Sequence, residues 1–166
     1  HIWLPSAYTF APSAVAVLLT ATATKAALYV LARILFTLLF NADDFTVIIL
    51  QWVLLPASIV AIFFGTIRAI FEKDIKKLLA FSSLSQIGYI TIGLTLGTAS
   101  GIMASFIHIA NHSMMKAALF MGIGAISIQL NKSINVDDLK GLSKSMPVTS
   151  ISLTVVILSL LGIPLT

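Results

Sequence analysis

The chain has 166 residues, of which 58% are hydrophobic and 10% are charged, and its mean hydropathy is +1.05. A soluble domain carries about 25% charged residues, and a fold of this length exposes too much surface to hide so many apolar side chains from water. Cysteine is absent, which excludes disulfides and cysteine-ligated metal sites within this chain. The net charge is only +4 and gives no basic surface for nucleic acid.

The apolar runs predict an all-α membrane protein, because a helix of about 20 apolar residues crosses a bilayer. A bundle of about five transmembrane helices is expected, over residues 13–40, 45–71, 77–96, 100–130 and 147–166. Pro12 and Ser13 suit the start of the first helix. Pro56 lies inside the second helix and needs no functional explanation, because proline is more frequent in membrane helices than in soluble ones. The stretch from Gly162 to Pro164 predicts a break in the fifth helix, a feature typical of ion-handling membrane proteins.

Positive charge alternates between the predicted loops. The segment 68–77 holds four basic residues and the segment 131–146 holds three, whereas the loops at 41–44 and 97–101 hold none. The positive-inside rule places the two basic segments in the cytoplasm, so the first helix starts inside and the fourth starts outside. We therefore expect a multi-pass protein of the bacterial inner membrane. A hydrophobic bundle within a soluble assembly is the alternative.

Three ionisable residues share one face of the fourth predicted helix. His108, His112 and Lys116 are four residues apart, so each lies about 6 Å from the next along the axis. Lys116 would lie about 20 Å from either end of this helix, too deep for its stem to reach water. Imidazole binds and releases protons near neutral pH, and a buried lysine can alternate between charged and neutral forms. This spacing favours proton transfer through bridging waters.

Lys25 forms a second buried site in the first helix, within the stretch TATATKAALYV. It lies about 20 Å into that helix, among small side chains that allow close helix packing. The six acidic residues all fall in loops or at helix ends: Asp43, Asp44, Glu72, Asp74, Asp137 and Asp138. Either these lysines are neutral at rest, or their carboxylate partners lie outside the sequence. Arg33 and Arg68 lie nearer helix ends, where arginine reaches the membrane interface.

Structural interpretations of the same residues remain open. A histidine or lysine in a membrane helix can serve only to join helices, and two histidines four residues apart can bind zinc when further ligands are present. The stretch FSSLSQIGY, residues 81–89, either lines a water-filled half-channel or joins helices through hydrogen bonds, and the second reading is favoured. No nucleophile, catalytic acid–base set or nucleotide-binding loop is visible, so the sequence indicates no catalytic, cofactor or metal site of its own.

Several motifs resemble one family of membrane proteins. The pattern begins with HIWLPSAYTFAPSAV and the TK of TATATKAALYVLAR, and continues with KDIKKLLAFSSLSQIGY, HIANHSMMKAALF, DDLKGLSKSMP and LLGIP. In this order they are similar to motifs of the antiporter-like subunits of respiratory complex I and the multisubunit Mrp sodium/proton antiporters. Arg68 departs from this pattern, which usually has an apolar residue there.

The resemblance implies a fragment, residues 1–166, of a fourteen-helix fold that contains two inverted five-helix repeats and a broken last helix. Lys25 would match the central lysine of the family's proton path, and His108, His112 and Lys116 its outward relay. The implied partners are other membrane subunits, the lipid bilayer, protons and, in an antiporter, sodium ions. A D-type Mrp subunit is favoured, and a subunit of an NADH–quinone oxidoreductase is the alternative. Two functions of a different kind remain open: a structural membrane scaffold, and a transporter of an organic solute that works without partner subunits.

Overall fold

The computed structural model describes residues 4–38 and 48–162, and these residues fold into a helical bundle. The α-helices are α1 (Leu4–Phe10), α2 (Ser13–Leu18), α3 (Thr24–Arg33), α4 (Leu55–Ile70), α5 (Ile75–Thr95), α6 (Ala99–Leu130), α7 (Leu142–Ser145) and α8 (Pro147–Leu160). Three π-helical segments, Leu19–Ala23, Ile34–Leu38 and Ile49–Leu54, and a 3-10 turn, Val136–Leu139, lie between them. The described residues contain no β-strand, as expected for an all-α membrane protein.

Four helical stretches in the described part of the chain are long and apolar enough to cross a membrane: Ser13–Thr37, Trp52–Ile70, Ile75–Thr95 and Ala99–Leu130. They correspond to the first four predicted helices. The fifth predicted helix forms as α8, but its 14 residues extend only about 21 Å. It ends before Gly162, whose φ of 76° is left-handed; Ile163 and Pro164 of the predicted break lie outside the described residues, as do Phe40 and Phe45.

Side-chain caps set the starts of the two longest helices. Asp74 accepts a hydrogen bond from the Lys77 amide at 3.0 Å, so α5 begins at Ile75, two residues before the predicted start. Thr98 accepts one from the Gly101 amide at 3.1 Å, so α6 begins at Ala99. Both caps satisfy amides that have no partner within the helix.

The short helix α1 was not predicted from the sequence. Its Leu4 and Tyr8 are buried, and the Tyr8 ring packs edge-on against Phe120 of α6, with 5.5 Å between ring centres. A core cluster at this end of the bundle joins α1, α2, α5, α6 and α8, and includes Ala16, Leu79, Leu119 and Leu153. The interruption at Pro12 therefore folds α1 back against the bundle.

The two basic loops meet at this same end. The Ile75 amide donates to the Ile134 carbonyl and the Val136 amide donates to the Lys73 carbonyl, each at 3.1 Å, around an isolated bridge between Asp74 and Asn135. The Lys76 amino group also lies 3.4 Å from the Ala11 carbonyl, at the start of the first span. This arrangement agrees with the loop alternation predicted from the positions of Lys and Arg.

Two glycines allow α4 and α5 to approach closely. A Cβ atom on Gly88 would lie 2.8 Å from the Ser58 carbonyl oxygen, and one on Gly65 would lie 2.7 Å from the Ser85 amide nitrogen. The Ser58 hydroxyl donates to the Thr91 hydroxyl at 2.7 Å across the same interface. By contrast, most large side chains of α4 are exposed, Phe63 and Ile67 among them. This helix therefore presents an apolar surface to lipid or to other helices.

We predict that Gly88→Ala destabilises the helix pair, because the added methyl group meets backbone as well as side-chain atoms. Overpacking of this kind costs about 1–3 kcal/mol. Ala57→Val, on the exposed face of α4, is the matched control. Thermal unfolding of the complete protein in detergent should show a lower melting temperature for Gly88→Ala only. Equal melting temperatures for Gly88→Ala and the unmodified protein would contradict the close packing.

The loop after α6 is held by the Asp138 carboxylate. It accepts hydrogen bonds from the Lys132 amino group at 2.7 Å and from the Asn135 amide at 2.9 Å. These two bonds, the Lys132 bond first, lower the pKa of Asp138 below its usual range. Because the pKa of Asp138 is lowered in the folded state, Asp138 stabilises the fold fully at pH values above the ordinary aspartate pKa. This stabilisation is lost as the pH falls through the pKa of the folded state.

We therefore predict that the hydrogen-exchange protection factor of the Asn135 amide falls as the pH is lowered below about 4. Asp138→Asn should reduce this protection already at neutral pH. Asp137→Asn is the control, since the described contact of Asp137 is an exposed pair with Lys140 at 2.8 Å. Protection at Asn135 that is insensitive to both pH and Asp138→Asn would refute the prediction.

Candidate functional site

The interface between α5 and α6 contains a line of polar contacts, which we call the polar seam. Its residues are Ser82 and Gln86 on α5 and Ser105, His108, His112 and Lys116 on α6. Successive members are three or four residues apart on each helix, so each set occupies one helix face. The two helices are antiparallel, so Ser82 lies opposite Lys116 and Gln86 lies opposite His108.

Lys116 is fully buried, with 0% of its surface exposed. Its amino group donates to the Ser82 hydroxyl at 2.6 Å and to the Leu79 carbonyl at 2.8 Å. The Ser82 hydroxyl in turn donates to the Leu79 carbonyl at 2.9 Å. Two neutral oxygens of α5 thus offset part of the free-energy cost of removing the amino group from water.

The two histidines of the polar seam have different surroundings. His108 Nε2 lies 2.8 Å from the Gln86 side-chain oxygen. The ring of His112 stacks beside the ring of His108, with 5.9 Å between centres and 10° between planes. His112 is 0% exposed, and neither of its ring nitrogens contacts a hydrogen-bonding group of the described residues. His112 therefore lies between two hydrogen-bonded neighbours, His108 and Lys116, without an orienting partner from the described part of the chain.

Lys25 lies at the start of α3, directly after the first π-helical segment. It is 6% exposed, and its amino group donates to the Thr20 carbonyl in that segment. A π-helical turn widens the backbone and leaves carbonyl oxygens available to other donors. The segment packs against α6, and Leu28, one turn after Lys25, packs with Ile87 and Ile90 of α5. The first span thus brings Lys25 to the bundle interior.

Sequence reasoning identified Lys25, His108, His112 and Lys116 as buried, and the structure buries both lysines and His112 inside the bundle. It did not identify Ser82 and Gln86 as the direct partners of Lys116 and His108. The favoured reading of residues 81–89, hydrogen bonds between helices, holds for these two side chains, whereas the Ser83 hydroxyl bonds to Leu79 within its own helix. The useful signal was the four-residue step from Ser82 to Gln86, which matches the step between the histidines.

Charged side chains of opposite sign are remote from the polar seam in the described residues. Glu72 and Asp74 lie beside the start of α5, and Asp137 and Asp138 pair with lysines in the loop after α6. Asp43 and Asp44 lie outside the described residues. Arg33 and Arg68 are exposed and lie over the rings of Tyr29 and Phe81, at 6.0 and 5.3 Å from their centres. The lysine sites thus obtain their described polar contacts from neutral oxygens.

Comparisons with known proteins agree with this architecture. A family model described as "NADH:quinone oxidoreductase/Mrp antiporter, TM" matches residues 1–166. The chain is 34% identical to NADH-quinone oxidoreductase subunit N of Desulforudis audaxviator, over 99% of this chain and 32% of that protein. It is 35% identical to F(420)H(2) dehydrogenase subunit L of Methanosarcina mazei, over 98% of this chain and 24% of that protein.

A solved structure is similar over the same extent. A chain of the membrane-bound sulfane sulfur reductase, an archaeal respiratory membrane complex, superposes with a TM-score of 0.90 at 35% identity, over 99% of this chain and 33% of that one. The chain spans about a third of the length of the first curated relatives, 32–34%. The apolar helices, the family and its bacterial respiratory members confirm the expected multi-pass integral protein of the inner membrane. The chain belongs to the NADH:quinone oxidoreductase/Mrp antiporter transmembrane family.

Proposed function

We propose that this chain is the proton-translocating part of an antiporter-like subunit in a multisubunit membrane complex. The observation that carries the proposal is the burial of Lys25, His112 and Lys116 in the bundle interior, with His108 in line. Ionisable groups inside a membrane bundle are costly and commonly mark ion pathways. His108, His112 and Lys116 follow one another at four-residue steps along α6, which supports a route for protons along this helix.

The proposed path follows the order of the residues. Protons enter from the cytoplasmic side, where the basic loops meet, and reach Lys25 through water. They pass to Lys116 and leave by His112 and then His108 toward the Gly97 end of α6. The four-residue steps and the 5.9 Å between imidazole centres suit transfer through a bridging water. Changes elsewhere in the complex would set the direction by altering the charge states of the two lysines.

Within the family, we propose a subunit of an NADH–quinone oxidoreductase-type complex ahead of a D-type Mrp subunit. The names of the relatives support this order, since they include an NADH-quinone oxidoreductase subunit N and an F(420)H(2) dehydrogenase subunit L. This reverses the preference for the D-type Mrp subunit derived from the motifs. Other membrane subunits are the partners that the relatives support, protons are the proposed cargo, and sodium exchange belongs to the Mrp alternative.

A structural scaffold is the second candidate. It is favoured by the hydrogen bonds of Lys116 and His108 to α5, which would join the two helices even without transport. Lys25 separates the two candidates, because its described hydrogen bond stays within its own span and contributes little to joining helices.

We predict that Lys116→Ala in the complete protein abolishes most proton pumping by the assembled complex in vesicles, and that Lys25→Met does the same while leaving assembly intact. Proton uptake is followed with a pH-sensitive dye, and assembly by native electrophoresis. Lys144→Met, an exposed lysine outside the spans, is the control and should pump normally. Unchanged pumping by Lys116→Ala would refute the transport role, and loss of assembly by Lys25→Met would favour the scaffold.

We also predict different effects for two neighbouring serines of α5. Ser82→Ala removes the hydroxyl that accepts from Lys116, so proton pumping should slow by about two- to twelvefold, the effect of one hydrogen bond of ordinary net strength. Ser83→Ala removes a buried hydroxyl that bonds within α5 and should change pumping little. Equal pumping rates in the two variants would show that the Lys116–Ser82 contact has no role in transport.

A further inference from the structure

The hydrogen bond between Gln86 and His108 joins α5 to α6 within the apolar part of both helices. The Gln86 side-chain oxygen and His108 Nε2 are 2.8 Å apart, and both side chains are partly buried. An amide oxygen accepts hydrogen bonds and does not donate them. With the amide in this orientation, Nε2 therefore carries the hydrogen.

The backbone around this contact is held in place. The Ser105 hydroxyl, one turn before His108, lies 2.9 Å from the Ile90 carbonyl, one turn after Gln86. A Cβ atom on Gly93 would lie 3.0 Å from the Gly101 carbonyl oxygen, so the two helices are in close contact farther toward the Gly97 end. These contacts, which involve neither side chain, hold the backbone of Gln86 opposite that of His108.

A neutral imidazole has two tautomers, with the hydrogen on either Nδ1 or Nε2. With the Gln86 oxygen opposite Nε2, the Nδ1-protonated form would bring two lone pairs together at 2.8 Å, and it fits only when the amide turns over and presents its NH2 group. The Nε2-protonated form instead donates to Gln86 and leaves Nδ1 with a free lone pair, able to accept a proton. His112 has no comparable partner among the described residues, so tautomer selection is specific to His108.

We propose that Gln86 is a positioning residue that selects the Nε2-protonated tautomer of His108 and returns His108 to it after each proton transfer. This proposal rests on the proton path described above. A proton from the direction of His112 binds to Nδ1 and gives the imidazolium, and the hydrogen on Nε2 then leaves toward the outer side. The hydrogen on Nδ1 of the resulting ring then passes through water to Nε2 of the same ring, where Gln86 offers an acceptor, so the ring neither gains nor loses a proton in this step. One proton enters and one leaves in each cycle.

The test measures the His108 tautomer directly, by ¹⁵N solid-state NMR of the complete, histidine-labelled protein in lipid, with His108→Asn to assign the signal. We expect His108 in the unmodified protein to be mainly Nε2-protonated when neutral. Gln86→Met keeps the side-chain length and removes the acceptor, so the ratio of Nε2- to Nδ1-protonated forms should fall by about two- to twelvefold, the effect of one neutral hydrogen bond. Gln129→Met, on the exposed far end of α6, should leave the ratio unchanged.

Gln86→Glu keeps an oxygen acceptor and should retain the hydrogen on Nε2, which gives a second readout if Gln86→Met does not fold. An Nδ1-protonated His108 in the unmodified protein, an unchanged ratio in Gln86→Met, or loss of the Nε2 hydrogen in Gln86→Glu would overturn the proposal.

Proton pumping by the same variants separates this proposal from the proposed function. We expect Gln86→Met to pump at least about twofold more slowly, and Gln129→Met to pump normally. Normal pumping by Gln86→Met together with loss of pumping in Lys116→Ala would overturn only the proposed role of Gln86 and leave the proton path intact. Normal pumping by both Gln86→Met and Lys116→Ala would overturn the proton path itself.

Discussion

The amino group of Lys116 lies inside an apolar helix bundle, where an uncompensated charge costs about 2.5–3.5 kcal/mol on insertion scales. Its described partners are two oxygens of α5, the Leu79 carbonyl and the Ser82 hydroxyl. Neutral oxygens stabilise an ammonium less than a carboxylate does and also accept hydrogen bonds from a neutral amine. The same contacts therefore allow both charge states, which is the requirement for a group that takes up and releases a proton.

The rest of the fold positions this contact. Glycines and small polar residues set the distances between neighbouring helices, at Gly65 and Gly88 on one side of α5 and at Gly93 on the other. The bridge between Asp74 and Asn135 ties the start of α5 to the loop after α6. Hydrophobic attraction does not hold helices together in lipid, so close backbone approach and hydrogen bonds set the registry. A shift of one turn would separate Ser82 from Lys116 and Gln86 from His108 together.

Local sequence signals explain which parts were predictable. Apolar length located the spans, and the positions of Lys and Arg indicated that both basic loops share one end. The depth of Lys25, His112 and Lys116 followed from counting residues along their helices. The partners of these groups depend on how α5 faces α6, and a stretch such as FSSLSQIGY contains no residue that specifies its neighbour. Helix α1 was missed because seven residues, Leu4–Phe10, give too short an apolar pattern, and the π-helical turn before Lys25 has no distinctive sequence signature.

We propose that the buried lysines and histidines lie on a hydrated route for protons. A cryo-electron microscopy map of the complete complex in lipid, at a resolution that shows ordered water, tests this most directly. We expect water molecules that link Lys25 to Lys116, and Lys116 through His112 to His108. Apolar side chains packed tightly around these four groups, with no water between them, would contradict it.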